Sequence, residues 1–239
     1  LLSSTESNFC EVDDNTNLVL QFNHTNNFYI FENRLKYYIY INNLLVCSGG
    51  FYSSITEYLG MDYGFDAFKI RVGSECGRDV DEWPGRTEEI IPTMRKALGD
   101  DATILADGNS CYSPDRAIEV GRLLEESDYG HFEEPCPYWE MEQTKKVTDA
   151  LDIDVSGGEQ DCDISTWRHM IEMRAVDVIQ PDVCYLGGLT RTLRVAKMGE
   201  LAGLPCTPHC ANLSMVTLFT MHLLAAIPNA GKYLEFSIE

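Results

Sequence analysis

Beyond residue 49 the hydrophobic and polar positions fall into two alternating kinds of segment. Short apolar runs end at a charged or polar residue beside Gly or Pro, which is typical of buried strands followed by turns. Longer stretches with helical spacing follow them. The predicted strands are residues 67–71, 102–106, 130–132, 154–156, 176–179, 204–207 and 232–234, and the clearest helices are 86–98, 114–126 and a buried helix at 213–227. Strands that alternate with helices favour a parallel sheet.

The second of these helices has a recognisable start. Ser113 is a good N-cap residue, and Pro114 suits the first helical position. We therefore expect the helix to begin at this pair, with the Ser113 side chain as its cap.

The residues that end the predicted strands recur at a nearly constant spacing. Asp107, Glu133, Glu159, Asp182, His209 and Glu235 follow one another at intervals of roughly 26 residues, about the length of one strand–helix unit of a barrel. The carboxyl ends of barrel strands meet at one mouth, where barrel enzymes hold their active sites. The spacing therefore predicts an α/β fold, a (β/α) barrel of the TIM type, with these side chains at its mouth.

Three of these residues are acids on consecutive predicted strands. If Asp107, Glu133 and Glu159 were buried together without a cation, they would repel one another and raise one another's pKa. Oxygen ligands from neighbouring strands suit Mg²⁺. A single acid at such a position would be an ordinary solvated loop residue, but three in register favour a magnesium site.

Seven short motifs follow one another along the chain. They are Lys69-Ile70-Arg71, Asp107-Gly108-Asn109, Glu133-Glu134-Pro135, Gly157-Gly158-Glu159, Gln180-Pro181-Asp182, Pro208-His209 and Glu235. In this order and spacing they resemble the barrel domain of the mandelate racemase and muconate-lactonising group of the enolase superfamily. The resemblance covers roughly residues 64–239.

The resemblance implies a role for each strand end. The three acids would hold Mg²⁺. Asp182 and His209 would form a dyad in which the carboxylate fixes the imidazole tautomer and leaves the other ring nitrogen as the base. Glu235, in its protonated form, would donate a hydrogen bond to the substrate carboxylate, and Asn109 would contact the substrate. The other barrel histidines, His131, His169 and His222, have no such context and are expected to be structural.

Arg71 departs from the racemases of this group, which have Lys at both outer positions of the first motif and use the second as a base. A guanidinium stays protonated at any ordinary pH, so Arg71 would bind a substrate carboxylate and would be a poor base. A racemase needs a base on each face of the substrate carbon, and His209 supplies one. Lys69 would serve as the other only in a different geometry, although both cations would also balance the charge of the acids.

The composition limits the partners and the compartment. The formal net charge is −20, which disfavours nucleic acid and anionic membranes as partners. No apolar run is long enough to cross a membrane. The nine cysteines are scattered without a repeated zinc-site spacing, which fits reduced thiols and a cytoplasmic protein.

The first part of the chain differs from the rest. It is rich in Asn, and its short apolar runs look like strands without recognisable chemistry. We therefore divide the chain into an atypical N-terminal segment, residues 1–48, and a barrel domain, residues 49–239. The family normally has an α+β capping domain before the barrel, and we expect this barrel to lack that domain and to be incomplete at its ends.

The favoured function is Mg²⁺-dependent dehydration of a sugar acid, an aldonate or aldarate, to a 2-keto-3-deoxy acid. His209 would remove the α-proton of this small carboxylate substrate, which makes the protein a lyase. Two alternatives stay open: a racemase or epimerase of the same group, and a non-catalytic barrel that retains the metal site. A homo-oligomer is expected because this group commonly assembles.

Overall fold

The computed structural model describes residues 67–210 and 215–235, together with the backbone of six short strands between residues 9 and 45. These six are β1 Phe9–Glu11, β2 Val19–Phe22, β3 Phe28–Glu32, β4 Leu35–Tyr37, β5 Tyr40–Ile41 and β6 Leu44–Leu45. Strands β1 to β4 pair in sequence order as an antiparallel sheet, and β5 pairs with β6. The predicted boundary at residues 48–49 lies outside the described residues.

Among the described residues, five parallel strands form the central sheet. They are β7 Ala67–Arg71, β8 Thr103–Asp107, β9 His131–Glu133, β10 Asp154–Gly157 and β11 Val178–Ile179. Their order in the sheet follows the sequence, and a helix separates each strand from the next. Parallel neighbours need such crossover connections, so the parallel α/β sheet predicted from the alternation is confirmed.

The sheet continues beyond β11 as single bridges among the described residues. Cys206 forms a parallel bridge with Ile179, and Ala230 forms one with Cys206. The last two strands expected from the sequence are therefore wrong as regular strands. Pro205 has no N–H to donate to a ladder, which limits pairing around Cys206. The final bridge lies before the predicted residues 232–234.

In the described parts of the chain, six helices accompany the parallel strands. They are α1 Arg86–Leu98, α2 Pro114–Glu126, α3 Met141–Ala150, α4 Ile164–Met173, α5 Leu189–Ala202 and α6 Met215–Ala226. Their buried faces join the strands in one hydrophobic core, to which Ile70 of β7, Met94 of α1 and Trp167 of α4 contribute fully buried side chains. Each Å² of apolar surface buried in such a core contributes about 25 cal/mol, and this burial is the main stabilising contribution.

Helix α2 begins where the sequence predicted, but its cap differs. Ser113 occupies the N-cap position and makes no side-chain hydrogen bond to the helix. Its hydroxyl instead donates to Asp79 Oδ2 at 2.8 Å, and its backbone N–H donates to Asp79 Oδ1 at 2.8 Å. The start of α2 is therefore tied to the long loop between β7 and α1.

Helix α6 is present, but the expected burial is wrong. Thr217, Thr220 and Leu223 form its buried face. The apolar side chains of Met215, Leu218, Phe219 and Met221 are each between 41% and 60% exposed. The run is apolar on nearly every side, so its composition could not indicate which narrow face would pack.

Two further expectations concern membrane-spanning helices and the state of the cysteines. No helix within the described ranges is long and apolar enough to cross a membrane. The cysteines of the same ranges are all free; Cys111, Cys136, Cys206 and Cys210 are buried and Cys76, Cys162 and Cys184 are exposed.

Candidate active site

The strand register brings the predicted residues to one edge of the sheet. Arg71, Asp107 and Glu133 are aligned across the carboxyl ends of β7, β8 and β9. Glu159 and Asp182 come shortly after the ends of β10 and β11. Because parallel strands share one direction, their carboxyl ends lie at the same edge and the side chains that follow them converge.

Lys69 lies among the acids at this edge. Its Nζ is 2.9 Å from Glu133 Oε1, 2.6 Å from Glu235 Oε1 and 3.9 Å from Asp107 Oδ2. Burial works against its charge, but the carboxylates of Glu133 and Glu235 raise the pKa of Lys69 well above its ordinary value. Lys69 is therefore an internal cation of the acid cluster.

Glu133 is held in its ionised form by neighbours from β7, from β9 and from the segment that follows β11. Its side chain is only 1% exposed. Besides Lys69, Gln180 Nε2 donates to its Oε2 at 2.9 Å, and His131 Nε2 is 3.5 Å from the same oxygen. Burial alone would raise the pKa of Glu133, but Lys69 and His131 bring it well below the usual value.

His209 and Asp182 form the expected dyad. His209 Nδ1 is 2.8 Å from Asp182 Oδ2. The other carboxylate oxygen, Oδ1, accepts the backbone N–H groups of Cys184 at 2.6 Å and Tyr185 at 2.9 Å. Burial opposes both charges, yet their hydrogen bond, aided by Glu159, raises the pKa of His209 to about 9 and lowers that of Asp182.

The second ring nitrogen of His209 faces the acids. Nε2 lies 3.3 Å from Glu159 Oε2 and 3.5 Å from Glu235 Oε2. Nδ1 is engaged by Asp182, and the raised pKa keeps Nε2 protonated near neutral pH. Nε2 is therefore the nitrogen that can accept a proton once it has lost its own, which positive charge bound among the acids would favour. Lys69 contacts Oε1 of Glu235 and His209 contacts Oε2, so the two groups share one carboxylate.

Ionisation of the remaining acids is disfavoured by burial and by their negative neighbours. Burial, with Glu133 as the first negative neighbour, raises the pKa of Glu159 to about 9. Burial together with Asp107 and Glu133 raises the pKa of Glu134 to about 8. Burial and Glu133 also raise the pKa of Asp107. These carboxylates would gain from additional positive charge nearby.

Lys69, Glu133, His209 and Glu235 line one cavity of about 220 Å³. His131 and Tyr233 also line it, and their rings meet edge-on at 6.3 Å between centroids. The volume is somewhat below the range of about 300–1,000 Å³ typical of ligand pockets, and Asp107, Glu159 and Arg71 are not among the residues that line the cavity.

Arg71 and Asn109 are placed at the rim of this arrangement. Arg71 Nη2 donates to the carbonyl of Ser74 at 2.9 Å, and its guanidinium favours the ionised form of Asp107. The backbone N–H of Asn109 donates to Asp107 Oδ1 at 2.7 Å, in a turn where Asn109 has φ +44°. Such a turn suits Asn, whose short side chain tolerates the left-handed region.

Sequence reasoning missed three side chains near the site. Gln180 was quoted within a motif but given no role, and His131 was expected to be merely structural. His131 precedes Glu133 by two positions on β9, so the two-residue period of a strand could have placed both on one face. Tyr185 stacks on His209 with centroids 6.4 Å apart and 17° between the ring planes; no pattern in the sequence indicated it.

The identity of the donors fits Mg²⁺, which prefers carboxylate oxygen and keeps several waters. Asp107 and Glu133 end β8 and β9, and Glu159 follows β10. Burial and mutual repulsion raise the pKa of Asp107 and of Glu159, so a cation between them would favour their ionised forms. Within the described residues, no three His, Cys, Asp or Glu side chains converge as a ready metal site. Glu133 turns to Lys69 and Glu159 to His209, so these side chains would have to reorient around an ion.

Both the sequence and the fold resemble those of known proteins. A family model described as "Enolase C-terminal domain-like" matches residues 56–239. The chain is 26% identical over 165 residues to arabinonate dehydratase of Saccharolobus solfataricus, covering 69% of this chain and 42% of that protein. It is 29% identical over 166 residues to L-Ala-D/L-Glu epimerase of Clostridium acetobutylicum, covering 68% and 44%.

Solved structures show the same likeness. A protein of Roseobacter denitrificans, provisionally described as a racemase, is 71% identical, with a TM-score of 0.75 over 77% of this chain and 50% of that one. A mandelate racemase/muconate lactonizing protein of Paracoccus denitrificans PD1222, complexed with magnesium, is 30% identical, with a TM-score of 0.68 over 78% and 51%. The chain spans about half the length, or less, of these relatives.

Proposed function

The chain belongs to the enolase C-terminal domain-like family, and from that premise we propose that it abstracts the α-proton of a carboxylate substrate with the help of Mg²⁺. Its relatives include dehydratases and epimerases, so an activity in the lyase or isomerase range is consistent with its family. The favoured reaction is dehydration of a sugar acid to a 2-keto-3-deoxy acid.

The His209–Asp182 dyad is the observation that supports this proposal best. An imidazole held through Nδ1 by a buried carboxylate, with Nε2 turned into a cavity of acids, has the arrangement of a general base. Nε2 would take the α-proton and later return it to the departing β-hydroxyl, since both can lie on its face. No second base is needed for such an elimination.

The other groups would bind and orient the substrate. Asp107, Glu133 and Glu159 would hold the Mg²⁺, which supplies positive charge beside the substrate carboxylate and so favours loss of the α-proton. Glu235 lies between His209 and Lys69 and would contact one carboxylate oxygen. Arg71 would pair with a second anionic or hydroxyl-bearing part of the substrate, because a guanidinium matches a carboxylate in two hydrogen bonds.

Racemisation is the second candidate, and the position of Lys69 favours it. Lys69 and His209 contact different oxygens of Glu235, so two nitrogen groups flank one carboxylate. If the substrate lay between them, each could serve one face of its α-carbon. Against this, three carboxylates surround Lys69 Nζ and hold its proton, which makes it a donor more readily than an acceptor.

The test is a screen with Mg²⁺ against a library of aldonic and aldaric acids, with keto-acid formation and deuterium uptake at the α-carbon in D₂O as readouts. The wild type should form a keto acid from at least one of them. The His209→Asn variant should lose both exchange and product, whereas Arg71→Met should bind substrate more weakly but retain some exchange.

Three outcomes would contradict the proposal in different ways. Exchange with racemisation and no keto acid would favour the second candidate. Exchange that survives in His209→Asn but not in Arg71→Met would place the base on the wrong face. Magnesium binding without turnover of any acid would favour a non-catalytic barrel.

A further inference from the structure

We propose that Thr87 is a positioning residue for Arg71: its hydroxyl fixes the Gly73–Ser74 turn, whose carbonyl receives the guanidinium. This inference rests on the proposed function, because the position of Arg71 matters for binding only if Arg71 contacts an anionic part of the substrate.

The contact between Arg71 and Ser74 is the first step. Arg71 Nη2 donates to the Ser74 carbonyl at 2.9 Å. The Nε–H of Arg71 is buried and has no hydrogen-bond partner within the part of the chain that the structure describes. The direction of the guanidinium therefore depends on where the Ser74 carbonyl lies.

The Gly73–Ser74 turn is anchored from two sides. The Gly73 N–H donates to Thr87 Oγ1 at 3.2 Å, and the Ser74 N–H donates to Cys111 Sγ at 3.4 Å. Gly73 has φ +69°, and a Cβ there would lie 2.8 Å from Cys111 Sγ. Only glycine fits this close approach without displacing the thiol.

The hydroxyl of Thr87 has its full set of partners. It donates to Asp81 Oδ1 at 2.6 Å, and it lies 2.9 Å from the Tyr112 hydroxyl. One donor and two acceptor sites are all that a hydroxyl has. Gly73 N–H donates to it, and Tyr112 O–H donates either to it or to Asp81 Oδ1, which lies 3.5 Å from the Tyr112 oxygen. Thr87 Oγ1 is therefore held by Asp81, Gly73 and Tyr112 together. Thr87 itself is fully buried.

This network gives Arg71 a preset position before any substrate arrives. A free Arg side chain loses rotamer freedom when it binds, and a side chain already held in place loses less. Removing the Thr87 hydroxyl leaves the buried Gly73 N–H without its acceptor, so the turn should shift or loosen. The loss should appear in affinity, because Arg71 binds the substrate and does not transfer its proton.

The test compares Thr87→Val, which removes the hydroxyl at nearly equal volume, with Thr87→Ser, which retains it. Thr148→Val is the matched control, because the Thr148 hydroxyl donates to the Ala175 carbonyl at 2.6 Å, just before the amino end of β11. The probe is malonate, a simple dicarboxylate, titrated into the Mg²⁺-saturated protein by calorimetry. KM and kcat on the acid that the wild type dehydrates are measured in parallel.

Thr87→Val should weaken malonate binding and raise KM several-fold, up to about tenfold, because only the part of the cost of an unsatisfied buried N–H that the displaced turn passes to Arg71 affects binding. Its kcat should stay within about threefold, and Thr87→Ser should match the wild type within about twofold. Thr148→Val should leave malonate affinity unchanged. In an Arg71→Met background, Thr87→Val should have no further effect on malonate binding, because the two residues act through one contact.

Unchanged malonate affinity in Thr87→Val, or an equal loss with and without Arg71, would overturn the inference. If Thr87→Val does not fold, Cys111→Ala tests the same turn through its other anchor and should weaken binding about threefold; no effect there would equally overturn it. A wild type that binds malonate but converts no sugar acid would contradict the proposed function while leaving this comparison valid.

Discussion

Replacing Asp182 by Asn tests whether the tautomer of His209 decides proton abstraction. Asn has the same shape, and the site fixes which way its amide turns. Asp182 Oδ1 accepts two backbone N–H groups, from Cys184 and Tyr185. An Asn that keeps both bonds must place its oxygen there, so its NH₂ group faces His209 Nδ1.

The magnitude follows from the alternative orientation. With the amide reversed, two backbone N–H groups would face an NH₂ group, at a cost of about 1–3 kcal/mol for each unsatisfied donor. At least about 2 kcal/mol therefore favours the first orientation, roughly 30-fold. Nδ1 of His209 must then accept, and the ring proton moves to Nε2, the nitrogen that should act as the base. We expect α-proton exchange to fall by roughly 10⁴-fold, the loss that a wrong histidine tautomer causes in a comparable His–Asp pair.

Two measurements test the tautomer of His209 and the loss of proton exchange separately. ¹⁵N NMR of His209 should show the proton on Nε2 in Asp182→Asn, and deuterium uptake at the substrate α-carbon should fall as stated. Asp163→Asn is the control, since Asp163 also accepts a backbone N–H, that of Ser165 at the start of α4, and lies on an exposed helix cap. Exchange within tenfold of the wild type in Asp182→Asn, with the proton on Nε2, would refute the role given to the dyad.

Three further predictions concern the metal, the ion pairs and the surface. Glu133→Gln should weaken Mg²⁺ binding at least about tenfold by calorimetry, while the exposed Glu142→Gln should not; equal affinities would remove Glu133 from the site. Lys69→Met should lower the free energy of unfolding in urea by about 3–5 kcal/mol, because it leaves Glu133 buried without its partner. Added Mg²⁺ should restore part of that loss through binding to the folded state, and unchanged stability would show that the ion pairs contribute little. Sedimentation should show an oligomer that Phe219→Glu on the exposed face of α6 converts to monomer; a stable wild-type monomer would contradict this.

The alternation of strands and helices could be predicted because it depends on local periodicity and on turn residues. The mouth of the fold follows from the same rule, since every parallel strand presents its carboxyl end at one edge. The sequence could not predict that Cys206 and Ala230 form only single bridges, because the length of strand pairing depends on distant parts of the chain. It could not predict the exposed face of α6 either, because helix burial depends on which distant surfaces are available. Apolar composition alone does not fix either.

The side-chain partnerships were harder to predict than the positions. The sequence suggested Glu133 as a metal ligand and Glu235 as a contact of the substrate carboxylate, but it did not indicate their common contact with Lys69. That contact depends on how far β7, β9 and the segment before Glu235 are shifted along the strand direction relative to one another. Spacing along the chain does not give these shifts. The interaction of Gln180 with Glu133 is similar, since the motif locates Gln180 at a strand end without showing which acid it reaches.

The position of Glu235 explains why the site residues fit elimination and racemisation almost equally well. Lys69 and His209 contact its two oxygens from different sides, so both nitrogen groups lie near whatever carboxylate replaces or adjoins Glu235. What separates the reactions is whether both nitrogens can exchange a proton with the same carbon. A single base returns deuterium from D₂O with one configuration, whereas two bases on opposite faces give both. With Arg71 in place of a second Lys, and Lys69 already engaged by acids, we expect deuterium of one configuration; equal amounts of both would show that Lys69 is a working base.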